Sequence, residues 1–327
     1  MAATETGEFA LIRRLADVLG GASKGAVLGI GDDTAVLAPS GAREILVTAD
    51  ALVEGVHFDR RYTPLEDLGW KSLAASVSDV AAMGGTPTSA VITLALDARW
   101  SPEDVERLYQ GLSDCAAAYQ VVIAGGDTTR SLSGAFINIT LLGTVEPGHA
   151  VTRSGGRPGD WLGVTGVLGG ARCGLEALSS GLGEGYPLST KHFLRPQPSV
   201  AAGQWLARSL KATAMIDISD GLASELGHIC DGSGTGCIVE AVPVAEEARL
   251  WTEVHGHDAI DFALSSGEEY QLLFACPPEM AHSEIVQDCP VPIHWIGRLT
   301  AKDEARILVV DGRQETLEAR GWDHFRA

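Results

Sequence analysis

Seven aspartates in this chain stand where an apolar run gives out: Asp32 and Asp33 in GIGDD, Asp50 in ILVTADALVEGVHF, Asp79 in SDV, Asp127 in GGDTT, and Asp217 and Asp220 in DISDG. A carboxylate at the exit of a buried element is placed to reach a ligand rather than to pack. Carboxylates grouped without His or Cys are hard oxygen donors and favour Mg²⁺, which binds through a few carboxylates, several waters and substrate phosphates. So many acids in one place would repel one another, so cations are implied. Metals that bridge phosphates stabilise in-line phosphoryl transfer, and a kinase-like reaction fits. The chain has neither a GxxxxGK[ST] loop nor an HRD and DFG set, which excludes the two commonest kinase architectures.

Each acid alone has an ordinary alternative. GDD is good turn chemistry. Asp220 could cap the helix that follows it, although that would not explain Asp217. Asp79 shares a helical arc with Ser72 and Ser76, which reads as a solvated face. Gly125 and Gly126 with Asp127, Thr128 and Thr129 read as a phosphate or metal loop on a strand end, with Arg130 close by to pair anionic oxygens. His255 and His257 lack a third ligand at zinc spacing.

The elements that must position these residues can be read from pattern. Gly7 to Leu19 has helical period, and Val27 to Ile30 leads into the first acids. The helix over Leu65 to Met83 places Trp70, Leu73, Val77, Val80 and Ala81 on one arc, with a C-cap at Gly84 and Gly85 and a stop at Pro87. Ser89 to Leu96 alternates as a strand. Ser101 is the N-cap of the next helix, with Pro102 at its first position and Asp104 in its first turn. Val121 to Ala124 reads as a short buried strand, and Phe136 to Val145 as a long one. EPGHAVTRSGGRPG, over 146–159, changes the character of the chain, so domains are expected over 1–148 and 149–327. The second half alternates again: a strand at Asp160 to Thr165, a helix at Gly169 to Ser180, a mobile loop GLGEGYPLS, a helix over Pro196 to Leu210, a strand at Ala212 to Ile216, and a helix carrying Leu222, Leu226 and Ile229. Strands at Cys237 to Ala241, Tyr270 to Cys276, Ile293 to Ile296 and Ile307 to Val310 complete it. This order predicts α/β or α+β packing around mixed sheets.

At 327 residues the chain can bury two cores, and 45% hydrophobic with 20% charged residues is a globular composition. A net charge of -19 argues against nucleic acid as a partner. No stretch reaches the roughly 20 apolar residues of a membrane helix, and the N-terminus carries acids where a signal peptide needs a basic flank, so a cytoplasmic protein is expected. The six cysteines are scattered without a CxxC pair and read as reduced packing residues.

GIGDDTAV, TADALVEGVHF, SDVAAMGGTP, IAGGDTTR, TRSG, DISDGL, SSGEEYQLLF and GWDHF follow one another as in the thiamine-monophosphate kinase family, which the chain resembles over nearly its whole length. The resemblance implies a two-domain fold like that of aminoimidazole ribonucleotide synthetase. Its N-terminal sheet would pair with a second copy in a homodimer, beside a C-terminal α/β domain, with ATP bound without a P-loop. Position by position it implies Asp33, Thr48, Asp50, Asp79, Asp127, Asp217 and Asp220 as magnesium ligands, with Asp33, Asp79, Asp127 and Asp217 the catalytic acids. Gly126, Asp127, Arg153 and Ser219 would contact ATP; His57, Glu268 and Trp322 would contact thiamine monophosphate. Ala49 departs from the family's usual hydroxyl residue, so only backbone oxygen is offered there, and GEEY stands where GEDY is usual. The implied reaction is Mg²⁺-dependent transfer from ATP to thiamine monophosphate, giving thiamine diphosphate. Because the acceptor is itself an ionised phosphate, His57 reads as a positioning group rather than a base.

The alternatives are an ATP-dependent ligase like aminoimidazole ribonucleotide synthetase and a nucleotide and metal sensor without turnover. Selenophosphate synthetase and the hydrogenase-maturation dehydratase fit less well, because the first Cys is Cys115 and the chain ends in HFRA.

Overall fold

Two mixed sheets face a single helix. The computed structural model describes residues 26–28, 32–37, 42–302, 304–310, 312–318, 321–322 and 324; the helix expected over Gly7 to Leu19 lies outside them.

The N-terminal sheet comprises β1 (Ala26–Leu28), β2 (Ala35–Leu37), β3 (Glu44–Val53), β4 (Thr86–Leu96), β5 (Val122–Arg130) and β6 (Phe136–Val145), in the order β1-β2-β3-β6-β4-β5. Residues β-branched or apolar at every second position give β3, β4 and β6 one face that packs and one that does not. Leu46, Ile92, Ile139 and Leu141 face the core with Leu73, Val77, Leu108 and Leu112, which belong to α1 (Leu65–Ala82) and α2 (Pro102–Tyr119). The N-terminus of α2 forms as its sequence predicts, with reciprocal bonds between the Ser101 side chain and Asp104. The two helices cross in backbone contact: a Cβ on Gly111 would sit 1.7 Å from the Glu66 carbonyl oxygen, and one on Gly69 2.0 Å from that of Leu108.

The C-terminal sheet comprises β7 (Trp161–Thr165), β8 (Ala214–Asp217), β9 (Gly236–Val239), β10 (Leu272–Cys276), β11 (Ile293–Thr300), β12 (Arg306–Val310) and β13 (Arg313–Thr316), in the order β13-β12-β9-β11-β7-β10-β8. Helices α3 (Gly170–Ser179), α4 (Pro187–Leu194), α5 (Val200–Trp205), α6 (Leu222–Ser233), α7 (Glu246–His255), α8 (Ala259–Leu264) and α9 (Pro278–Ala281) connect its strands. The loop GLGEGYPLS contains a 3₁₀ turn at Gly183–Gly185 and the start of α4. The helix expected over Pro196 to Leu210 is shorter, with α5 passing into a π turn at Leu206–Leu210.

One alternative and one expectation do not hold in the structure. The polar arc of α1 is not solvated: Ser72, Ser76 and Ser78 are fully buried, because α5 and β8 pack on the side of α1 that the N-terminal sheet leaves open. GGDTTR is not a loop after a buried strand. It is the body of β5, a sheet edge that pairs in parallel with β4 and is exposed along most of its length.

Gly111→Ala should lower stability by about 1–3 kcal/mol, the usual cost of overpacking. Gly185→Ala, which would meet nothing within 4 Å, should stay within about 0.5 kcal/mol. Thermal denaturation of both variants checks the difference.

Candidate active site

The edge strand β8 docks against α1, and that contact brings distant acids together. One carboxylate oxygen from each of Asp33, Asp79 and Asp217 lies within 4.8 Å of the other two. Asp50, on β3, lies near enough for its charge to raise both Asp79 and Asp217. Hydroxyls fix three of the four: Thr48 Oγ1 donates to Asp79 at 2.5 Å, Ser76 Oγ to Asp50 at 2.7 Å and Ser78 Oγ to Asp217 at 2.6 Å. Burial pushes all four carboxyls up. Asp217 reaches about 6, and Asp79 is raised further by the charges of Asp50, Asp217 and Asp33.

Arg153 faces this group. Its Nη2 lies 2.5 Å from Asp33 Oδ1, and its backbone N–H donates to Asp32 at 3.1 Å. Asp33 Oδ2 is buried with no hydrogen-bond partner among the described residues. Ser219 and Asp220 follow β8 in a turn whose backbone N–H groups donate to Glu225 Oε1 at 3.2 and 2.8 Å. The N-cap of α6 is Gly221, so Asp220 does not cap that helix. Mg²⁺ fits this donor set: hard oxygens, no thiolate or imidazole, and a buried carboxylate oxygen still lacking a partner.

A second group lies beside the first. Glu268 pairs with the buried Lys71 of α1. Glu268 and Tyr270 both have left-handed backbone, with φ of 59° and 51°. Burial raises the Tyr270 hydroxyl well above its usual pKa, and the charges of Glu268, Asp50, Asp217 and Asp79 raise it further. Glu269, the next residue after Glu268, instead holds the N-terminus of α3, accepting from Gly169 N at 2.7 Å and Ala171 N at 3.2 Å. His57 Nδ1 accepts from Val53 N at 3.0 Å, which leaves its proton on Nε2. Burial, then the charges of His324 and Lys71, lower its pKa to about 4, so it is neutral at pH 7 and cannot serve as a cation. Trp322 Nε1 donates to His324 at 3.0 Å, and the His324 ring lies 4.8 Å from that of His57.

The AIR synthase related protein, N-terminal domain, matches residues 31–145, and the AIR synthase related protein, C-terminal domain, matches 157–310. Thiamine-monophosphate kinase of Escherichia coli K12 is 37% identical over 328 residues, covering 98% of both chains, and that of Bacillus subtilis 168 is 33% identical over 317 residues, covering 91% of this chain and 94% of the relative. A solved structure described as AaThiL complexed with AMPPCP and TMP superposes with a TM-score of 0.87 at 34% identity, covering 99% of each chain. The chain belongs to the thiamine-monophosphate kinase family. Of the residues that the resemblance to this family nominated, Asp33, Asp50, Asp79 and Asp217 converge, with Thr48, Arg153, Ser219 and Asp220 around them.

Asp127 and Gly126 lie apart. Strands β6 and β4 stand between β3 and β5, so about 14 Å separates Asp127 from the strand of Asp50. Asp127 pairs with Thr93 rather than with core-facing Ile92, so its side chain lies on the face opposite α1. Gly126 has a packing reason to be glycine, since a Cβ would sit 1.8 Å from Ile92 O. His255 stacks on Trp251 and joins no candidate metal group among the described residues. A pocket of about 950 Å³ lined by Leu182, Tyr186 and Arg195 contains none of these residues; carboxylate chemistry marks the site, not concavity.

Lys71, Ser78, Tyr270, Glu225 and His324 do not stand out in the sequence reading. One sign was available. Apart from Lys71 and Asp79, the polar arc of α1 carries Ser72, Ala75, Ser76, Ser78 and Ala82, small residues rather than the long charged ones of a solvated face.

Asp217 binds its proton more tightly folded than unfolded, so it favours the metal-free fold below about pH 4 and disfavours it once pH passes about 6. In chelator, Asp217→Asn should therefore gain stability relative to wild type across that window, on the order of 3 kcal/mol by pH 7. Saturating Mg²⁺ should reverse the order; chemical denaturation with and without Mg²⁺ reads both.

Proposed function

We propose that this chain transfers the γ-phosphate of ATP to thiamine monophosphate, giving thiamine diphosphate and ADP, with Mg²⁺ held by Asp33, Asp50, Asp79 and Asp217. The convergence of these acids beside the group that holds His57, Glu268 and Trp322, in a chain so similar to thiamine-monophosphate kinases, carries the reading. Bound there, Mg²⁺ supplies the positive charge that lets two polyanions meet.

The protein's own groups do the rest. An oxygen of the acceptor phosphate attacks the γ-phosphorus as its bond to the ADP oxygen breaks, and that nucleophile is already ionised, so no side chain must remove a proton. His57, neutral and with a proton on Nε2, offers a hydrogen bond and not a base. Arg153 sits at the acid cluster where it can orient phosphate oxygens. Ser219 at the same end is a further ATP-contacting group of the proposal, and Gly126 and Asp127, on β5, complete its set. A ligase of the aminoimidazole ribonucleotide synthetase type has support only from the two domain descriptions.

The proposal includes a homodimer, a cytoplasmic location and a division of the chain at 148/149. Support for the dimer comes from the face of the N-terminal sheet opposite α1, where Val53, Val91 and Leu142 are 37–43% exposed, beside the exposed edge β5. A second copy on this face would cover both the apolar patch and the unpaired edge. Asp127 lies on that face, so its part in metal binding would depend on the assembled dimer and not on one protomer. No helix among the described residues is long and apolar enough to cross a membrane.

Incubation with ATP, Mg²⁺ and thiamine monophosphate should yield thiamine diphosphate; its absence would reject the reading. Asp79→Asn should cut turnover on the order of 10²-fold or more without loss of thermal stability in chelator, because it relieves like-charge repulsion; equal loss of both would mark Asp79 as structural. Sedimentation should give a dimer for wild type and a monomer for Val91→Glu.

A further inference from the structure

We propose that Lys71 is a positioning residue that holds Glu268 as a fixed carboxylate for the heterocyclic end of the acceptor; the inference rests on the kinase reading above. Lys71 is 1% exposed, its Nζ lies 2.7 Å from both carboxylate oxygens of Glu268, and it stands 3.6 Å from the centroid of the Phe193 ring. Two oxygens and a ring face occupy the ammonium's donors, so none remains for a ligand phosphate.

Glu268 differs from its partner. Its side chain is 27% exposed, and its left-handed backbone is pinned by a 2.6 Å bond from its N–H to Ser219 O. Its remaining lone pairs are open to a ligand. Stability does not explain the lysine, because an apolar side chain would fill the same space without burying a charge. A backbone turned into a rarely used region and a charge buried behind it serve to aim one carboxylate. With His57 and Trp322 nearby, that carboxylate suits a nitrogen heterocycle bearing N–H groups or positive charge. Asp79 lies eight residues further along the same helix, about 12 Å, so α1 fixes both the heterocyclic and the phosphoryl ends of one acceptor.

Steady-state kinetics on the full chain tests this. Lys71→Met should raise KM for thiamine monophosphate at least tenfold while KM for ATP stays within twofold. A variant carrying both Lys71→Met and Glu268→Gln should be no worse than Glu268→Gln alone, because Lys71 acts only through that carboxylate. The double variant, which leaves no unpaired charge, decides the matter if Lys71→Met does not fold. An unchanged KM for thiamine monophosphate, equal rises for both substrates, or additive losses in the double variant would overturn the inference. Those outcomes, with an active wild type, leave the kinase reading intact; a wild type that makes no thiamine diphosphate overturns both.

Discussion

Like charges withdrawn from water are the constraint on which this molecule is built. Asp33, Asp50, Asp79 and Asp217 come from separate parts of the chain and meet where α1 is covered on both sides. Each is desolvated and three are fixed by hydroxyls, so none can swing away from the others. Arg153 offsets part of the charge through Asp32 and Asp33. What it leaves is an arrangement that divalent cations can complete, and folding alone does not explain why the acids are kept.

Helix α1 carries that arrangement because it belongs to two cores. Its apolar arc packs on the N-terminal sheet with α2, where Gly69 and Gly111 let the backbones touch. Its small polar arc receives β8 and α5, with Gly203 in contact with the Ala81 carbonyl oxygen. The two parts of the chain are therefore held in one relation along the length of a helix that also bears Lys71, Ser76, Ser78 and Asp79. Charge and hydrogen-bond contacts from this helix also join the parts directly, among them Lys71 with Glu268, Ser78 with Asp217, Trp70 with the Pro196 carbonyl and Asp67 with Arg195.

Much of this was legible in the residues. The apolar runs ending in aspartate marked the acids, and capping chemistry at Ser101 marked the start of α2. Strands β6, β7 and β10 fall within a few residues of their patterns. The errors have physical causes. Asp79 reads as solvated only if α1 is treated as a surface helix, and a second core on its polar side is a tertiary fact that periodicity cannot carry. GGDTTR looks like a loop because two glycines weaken a strand pattern, yet β4 supplies the pairing that extends β5 through it. The Lys71–Glu268 pair joins residues 197 positions apart, a separation that no local pattern encodes. Asp127 lies on the face opposite α1 because it is in register with Thr93 and not with core-facing Ile92; its expected part in metal binding belongs to the proposed dimer.

Asp33, Asp50, Asp79 and Asp217 should together form one cation site. Crystals soaked with Mn²⁺ and a nonhydrolysable ATP analogue, measured at the manganese absorption edge, test it directly. The account predicts anomalous peaks in contact with the carboxylates of Asp33, Asp50, Asp79 and Asp217, next to the analogue's phosphates. Peaks elsewhere, with those carboxylates contacting only protein and water, would contradict it.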